Sequence, residues 1–286
     1  MLQFKEQRGY FTFVQNSDTT DYLRLAYAQA LSIKATQKLN KYAIAVDQKT
    51  KEKVTDKHRK VIDYIIDIPG EDDAKNESWK LSNEWKAQIA TPFRETIKLD
   101  CDMLFPRDIS HWWHGMQQQE ICITTEVRSY RNEVATNRTY RKVFDANGLL
   151  NAYSGFTYFR YSRLSTQFFQ IVETIMKDWD RYRDQLLKEC RIEQPTTDEV
   201  YALAAKIVGE ERCHNPTLSY PSFIHMKPAI QNWDPGIIWP NVVPFTLLPN
   251  LELVVGGYAQ RYPFHYVDKD FITDELIERY ETKLDV

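Results

Sequence analysis

Two aspartates one residue apart, Asp100 and Asp102, interrupt an apolar run: Ile97 and Leu99 precede them, and Met103, Leu104 and Phe105 follow. Carboxylates in such a run are costly unless something neutralises them. Alternate residues of a strand point the same way, so the pair can converge on one hard divalent cation. A cation with open positions can in turn hold a diphosphate. The flanks weigh against the ordinary reading, two solvated acids ending a strand, without excluding it. A second segment, Ser222-Phe223-Ile224-His225-Met226-Lys227-Pro228, sets an imidazole and an ammonium two residues apart after an apolar pair. It can bring a metal ligand and a phosphate-neutralising charge to one point, although a lone histidine beside an apolar stretch is more often structural. Asn151-Ala152-Tyr153-Ser154-Gly155-Phe156 places small residues at the start of a buried strand, where backbone can approach a ligand or simply turn. Thr197-Asp198-Glu199 also reads as a helix start, with Thr196 or Thr197 as the cap and acids at the positive helix end.

The elements that must position these residues alternate between strand and helix. Strands are expected at residues 10–14, 42–47, 61–68, 96–105 and 152–161. Helices are expected at 22–39, 79–90, 164–190, from Thr197 onward, and at 272–284. The lysine-rich stretch 49–60 reads as a solvated helix or loop, and 213–268 as short strands and loops. Alternation of this kind implies an α/β fold with a mostly parallel central sheet, and such sheets bind ligands beyond the carboxyl ends of their strands. The Asp100 and Asp102 pair ends one of those strands.

With 286 residues, 43% hydrophobic and 27% charged, the chain is long enough for a sizeable core and has an ordinary globular composition. A formal net charge of −3 argues against a global polycation. The opening residues hold no uninterrupted apolar stretch and no window approaches a membrane span, so neither secretion nor a membrane partner is expected. Cys101, Cys122, Cys190 and Cys213 are widely spaced, which disfavours a disulfide framework or a zinc site and suits a reducing cytoplasm.

The order of these features resembles the GT-A-fold retaining glycosyltransferases of the glycogenin and lipopolysaccharide galactosyltransferase type, family eight. Thr12-Phe13-Val14-Gln15-Asn16 with Tyr22 is similar to the family's first strand. Leu99-Asp100-Cys101-Asp102-Met103-Leu104 is similar to its Asp-x-Asp strand, and Tyr153-Ser154-Gly155 to its sugar-binding strand. Asp198-Glu199 stands where the family has Asp-Gln, and His225-Met226-Lys227-Pro228 is a shortened form of its terminal motif. The resemblance implies one GT-A (Rossmann-like) domain: a nucleotide-sugar-binding core over 1–212, and an aromatic-rich segment over 213–286 that completes the metal and phosphate site and the acceptor cleft. It implies Mn²⁺ or Mg²⁺ on Asp100, Asp102 and His225. The donor is a nucleotide-diphosphate sugar, with uridine diphosphate expected. Gln15, Asn16 and Tyr22 would line the base pocket, Lys86 and Lys227 would meet the diphosphate or donor sugar, and Asn151, Ser154, Gly155 and Asp198 would place the sugar. Transfer would retain anomeric configuration. A glutamate at 199 adds the reading of a nucleophile or an oxocarbenium stabiliser beside Asp198.

For the acceptor, residues 128–163 hold seven lysines and arginines, among them Arg128, Arg131, Arg138 and Arg141, against Glu133 and Asp145, with tyrosines interleaved. That pattern suits an anionic acceptor with stackable bases. In size and aromatic content the chain also resembles phage glycosyltransferases that act on 5-hydroxymethylcytosine, which implies modified double-stranded DNA as partner and the host cytoplasm as location. A saccharide or protein acceptor, a phosphate-handling hydrolase or nucleotidyltransferase, and a non-enzymatic nucleic-acid-binding protein stay open.

Overall fold

A computed structural model describes residues 4–75, 77 and 80–286. Its strands are β1 (Glu6–Val14), β2 (Tyr42–Val46), β3 (Tyr64–Asp67), β4 (Phe93–Leu99), β5 (Met103–Leu104), β6 (Ile121–Thr124), β7 (Glu126–Arg128), β8 (Tyr153–Arg160), β9 (Ser222–His225), β10 (Phe245–Leu247), β11 (Leu253–Val255), β12 (Tyr258–Ala259) and β13 (Phe264–His265). Six of them form the central sheet in the order β3-β2-β1-β4-β8-β6. The neighbours β3, β2, β1 and β4 run parallel, and β8 is antiparallel to both β4 and β6.

Period-two alternation explains why the inner strands are apolar throughout. Tyr10 and Val14 of β1 and Tyr42, Ile44 and Val46 of β2 enter one core. Phe11, Phe13, Ala43 and Ala45 enter the other. Both faces are covered, as parallel sheets require. Helix Tyr22–Thr36 covers the first face and is buried almost all round, from Leu23 to Ile33. Asp21 caps it by accepting from Arg24 N. Helices Arg163–Lys177 and Thr197–Val208 cover the second face. The result is a three-layer α/β/α frame. The terminal helix Asp274–Leu284, capped by Thr273, packs on Tyr22–Thr36. No helix among the described residues is long and apolar enough to cross a membrane.

Four local expectations change. The helix expected over 164–190 breaks at Asp178 (φ −122°, ψ 38°), where Trp179 turns into the core and its indole N–H donates to Ile192 O at 3.0 Å. The strand expected over 61–68 shortens to β3, because Thr55 starts a short helix, Asp56–Val61, in a capping box with His58. The helix expected over 79–90 is a 3-10 turn, Lys80–Lys86, followed by Ala87–Ala90, and Trp79 lies outside the described residues.

The fourth change shapes the site. The strand expected over 96–105 is two strands in two sheets. β4 ends at Leu99, the chain turns through Asp100, Cys101 and Asp102, and β5 enters a second sheet of order β5-β13-β9-β7. Gln29 of the first helix holds the turn. Its Nε2 donates to Asp100 O at 2.7 Å and to Met103 O at 3.2 Å, and its Oε1 accepts from Tyr42 OH at 2.8 Å. The two aspartates therefore stand at the seam between sheets, at the carboxyl edge of the parallel strands.

Candidate metal and donor site

Three ligand-bearing groups meet at this seam. Single donor atoms from Asp100, Asp102 and His265 lie within 4.8 Å of one another. His265 Nε2 is 3.1 Å from Asp102 Oδ1 and 3.9 Å from Asp100 Oδ2. Strand pairing brings it there: β13 pairs antiparallel with β5, His265 opposite Met103, and Tyr266 N donates to Asp102 O at 3.1 Å. Two carboxylates and an imidazole form a donor set that suits a divalent cation. The nitrogens His225 Nδ1 and His265 Nδ1 are buried with no hydrogen-bond partner among the described residues.

The imidazole in this cluster is His265, whereas the sequence points to His225. β9 and β13 run parallel with His225 and His265 in register, so the rings stack, with centroids 4.7 Å apart and planes at 12°. His225 stands beside the cluster and lines the second cavity with His265 and Asp100. Burial, joined by the charges of His265, Lys227 and Arg141, holds its pKa well below the usual imidazole value. For His265, burial pulls downward, but the Asp102 carboxylate outweighs it and the pKa is raised. Burial would lift Asp102, but His265 and Lys269 together hold it well below the usual carboxylate range. The Lys269 ammonium is in contact with Asp102 Oδ2.

Gly155 is part of the seam. Its carbonyl accepts from Asp100 N at 2.9 Å. A Cβ here would stand 2.8 Å from Asp100 Oδ2, so only glycine leaves the carboxylate its place.

Two cavities share Asp100 and His265 as a common wall. The first, about 260 Å³, is lined by Thr12, Gln15, Tyr22, Lys80, Glu84 and Lys269 together with the cluster. A larger recess beside it, about 610 Å³, is lined by Asn16, Tyr22, Asp47, Lys49 and Lys80. The second cavity, about 360 Å³, is lined by Tyr140, Arg141, Tyr153, Ser154, Asp198, Glu199 and Lys227. The cluster thus sits at the waist of a two-part cleft.

The residues singled out from sequence separate into two groups. Gln15 lines the first cavity and is bonded to Asp72 and Asn83; Tyr22 borders both it and the recess. Asn16 lines the recess and also fastens the helix entry, donating to Asp21 and accepting from Leu23 N. Ser154, Gly155, Asp198, Glu199 and Lys227 gather in the second cavity. Lys86 is buried elsewhere and bonds Glu71 O and Asn83 Oδ1; Lys80 takes the cavity wall. Asn151 donates to Thr125 O at 3.0 Å and lines neither cavity. Sequence reasoning passed over His265, Lys269, Lys80, Glu84 and Gln29. The readable signal for His265 was the motif it shares with His225, a histidine following an apolar strand residue: Phe264-His265 beside Ile224-His225.

Asp198 is held rigidly. Oδ2 accepts from Arg141 at 2.9 Å, and Oδ1 accepts from Ser154 N and Oγ, both at 2.8 Å. Burial would raise its pKa, but Arg141 and Ser154 outweigh it and keep the carboxyl low. Glu199, tied to Thr196 Oγ1, is pushed up to about 7 by burial and then by the charge of Asp198.

The four arginines expected to meet an acceptor have other partners. Arg141 is buried against Asp198, Arg128 pairs with Glu126 and Arg138 with Asp145, while Arg131 lies over the Tyr130 ring at 5.4 Å.

No protein-family model matches this chain, and no curated protein matches it. Among solved structures it is similar to mouse xyloside xylosyltransferase 1 in its apo form, with a TM-score of 0.44 and 10% identity over 73% of this chain and 84% of that one. It is also similar to the apo form of the glycosyltransferase GlyE of Streptococcus pneumoniae TIGR4, with a TM-score of 0.39 and 10% identity over 76% of this chain. This chain covers 45% of GlyE.

Proposed function

We propose that the protein is a metal-assisted glycosyltransferase that moves a sugar from a nucleotide-diphosphate donor to a hydroxyl acceptor. The observation that carries this reading is the Asp100, Asp102 and His265 cluster at the waist between two cavities, with cationic Lys269 on one side and a rigidly held carboxylate, Asp198, on the other. A leaving group carrying two phosphates needs positive charge at one point, and an activated sugar needs fixed hydrogen-bonding groups just beyond it. Asp100, Asp102 and His265 would hold a divalent ion, which when bound supplies Lewis-acid neutralisation of the diphosphate. Lys269 and Lys80 add charge on the same side. Tyr22 and Gln15 border the space for the nucleoside.

On the far side, Ser154, Asp198 and Lys227 orient the sugar. Both Asp198 oxygens are engaged by Arg141 and Ser154, which supports a positioning role over proton abstraction. The Glu199 carboxyl is pushed up to about 7, which supports it as the group that stabilises positive charge at the anomeric carbon or takes the acceptor proton. Retention of configuration and a uridine diphosphate donor rest on the sequence resemblance. A DNA acceptor rests on the arginine run, and the pairing of Arg128, Arg138 and Arg141 with carboxylates withdraws support from it. A saccharide hydroxyl fits the mixed Tyr140, Tyr153 and Asp198 lining better.

The test is release of nucleoside diphosphate from a panel of nucleotide sugars with Mn²⁺, offered saccharides, hydroxyl-bearing peptides and hydroxymethylated duplex DNA in turn. Acceptor-dependent release that is lost in Asp102→Ala supports the reading. Nucleotide release that no acceptor accelerates points to a hydrolase instead, and no turnover or thermal shift with any nucleotide sugar sinks it.

A further inference from the structure

Lys98 lies on β4 two residues before Asp100, and its side chain is fully buried. Its Nζ meets the Glu84 carboxylate and lies 3.6 Å from Asp100 Oδ1. The opposite side is closed by the Tyr201 ring, 5.8 Å from Nζ to centroid. Glu84, 6% exposed at its side chain, stands on the 3-10 turn Lys80–Lys86 in the wall of the first cavity. One buried ammonium therefore joins the strand that delivers Asp100 to the element that faces the donor space. Asp100 has little slack on its other side, because Oδ2 packs against Gly155.

Fold stability is a poor reason for such a pair. Well-packed apolar residues of similar volume are often as stabilising as a buried ion pair, or more so. What an apolar pair cannot supply is a directed positive charge on one oxygen of a carboxylate. We infer that Lys98 is a positioning residue: it holds the Asp100 carboxylate in the orientation that a divalent cation needs and ties that orientation to Glu84 in the donor wall. The inference rests on the metal-assisted reading above.

The test separates position from charge. Lys98→Met alone removes the anchor but makes the site more negative, which by itself draws a cation in. Lys98→Met with Glu84→Gln removes one charge of each sign and leaves no buried carboxylate unpaired. Pure electrostatics then expects unchanged metal affinity, and positioning expects a loss. Affinity for Mn²⁺ alone is read from the paramagnetic resonance signal of the free ion, on the full chain without donor or acceptor, with the melting temperature alongside. The double variant is expected to melt close to wild type and to bind Mn²⁺ at least ~10-fold more weakly, the usual scale for losing a group that orients a ligand. If that variant fails to fold, Lys98→Leu with Glu84→Leu takes its place under the same expectation. Val172→Ala, a destabilising change in helix Arg163–Lys177 at a residue that lines neither cavity, should keep wild-type Mn²⁺ affinity. Equal affinity in wild type and the folded double variant overturns the inference and leaves the metal site standing. No Mn²⁺ binding by wild type overturns the metal-assisted reading and this inference with it.

Discussion

Gly155→Ala should weaken metal binding while leaving the fold intact or firmer. The new methyl would stand 2.8 Å from Asp100 Oδ2, 3.3 Å from Asp100 Cγ and 3.7 Å from His265 Nδ1. Non-bonded contacts of this kind relax at roughly 3.5 Å, so the carboxylate must retreat by about 0.7 Å. Metal–ligand distances tolerate only about 0.2 Å. The carboxylate can give way toward Lys98 Nζ, 3.6 Å from Oδ1, or toward the cavities, and either shift takes it off the place it holds beside Asp102 and His265. The expected loss is ~10–100-fold in Mn²⁺ affinity, which is about 1.4–2.8 kcal/mol. The backbone pulls the other way. Gly155 lies inside β8 and is not among the glycines with positive φ. Alanine inside a strand is therefore favoured by roughly 0.5–1 kcal/mol. The assay is a pair of readings on the same preparation: free Mn²⁺ by paramagnetic resonance, and melting temperature without metal. Affinity within twofold of wild type would refute Asp100 as a ligand. A large fall in melting temperature would refute the argument that the conflict is confined to the carboxylate.

Three further outcomes are expected. His265→Ala should weaken Mn²⁺ binding more than His225→Phe, because only His265 faces Asp102; the reverse order in a calorimetric titration would return His225 to the cluster. Glu199 titrates near 7 when folded and near 4.5 when unfolded, so its contribution to stability is full below about 4.5 and is lost as pH rises through 7. Wild type should therefore lose more melting temperature than Glu199→Gln between pH 5 and pH 8, and parallel curves would show the carboxyl ionised throughout. Arg141→Met removes the cation that is bonded to Asp198 and should cost about 3 kcal/mol in urea unfolding, the scale for breaking a buried pair. Arg131→Ala should cost almost nothing, and equal costs for the two would contradict the burial of Arg141.

The frame was legible because its signals are local. Tyr10–Val14 and Tyr42–Val46 are apolar at every position or nearly so, which marks strands buried on both faces, and the helix between them has a cap of its own at Asp21. Asp100 and Asp102 were legible too, since two acids in a buried run ask for a positive partner whatever the fold. The positive partners themselves could not be read from sequence. His265 and Lys269 come from a segment whose strand is two residues long, too short to carry any periodicity, and its place is set only by pairing with β5 and β9. Lys86 and Asn151 show the other limit: their types and positions suit a ligand, but in the fold the Lys86 ammonium is engaged by Glu71 O and the Asn151 amide N–H by Thr125 O, away from both cavities. The sequence by itself determined a parallel α/β frame and the strand end where two carboxylates would wait. Only the tertiary structure decided which imidazole, which ammonium and which glycine meet them, because those contacts cross between sheets and depend on packing that no short window of residues contains.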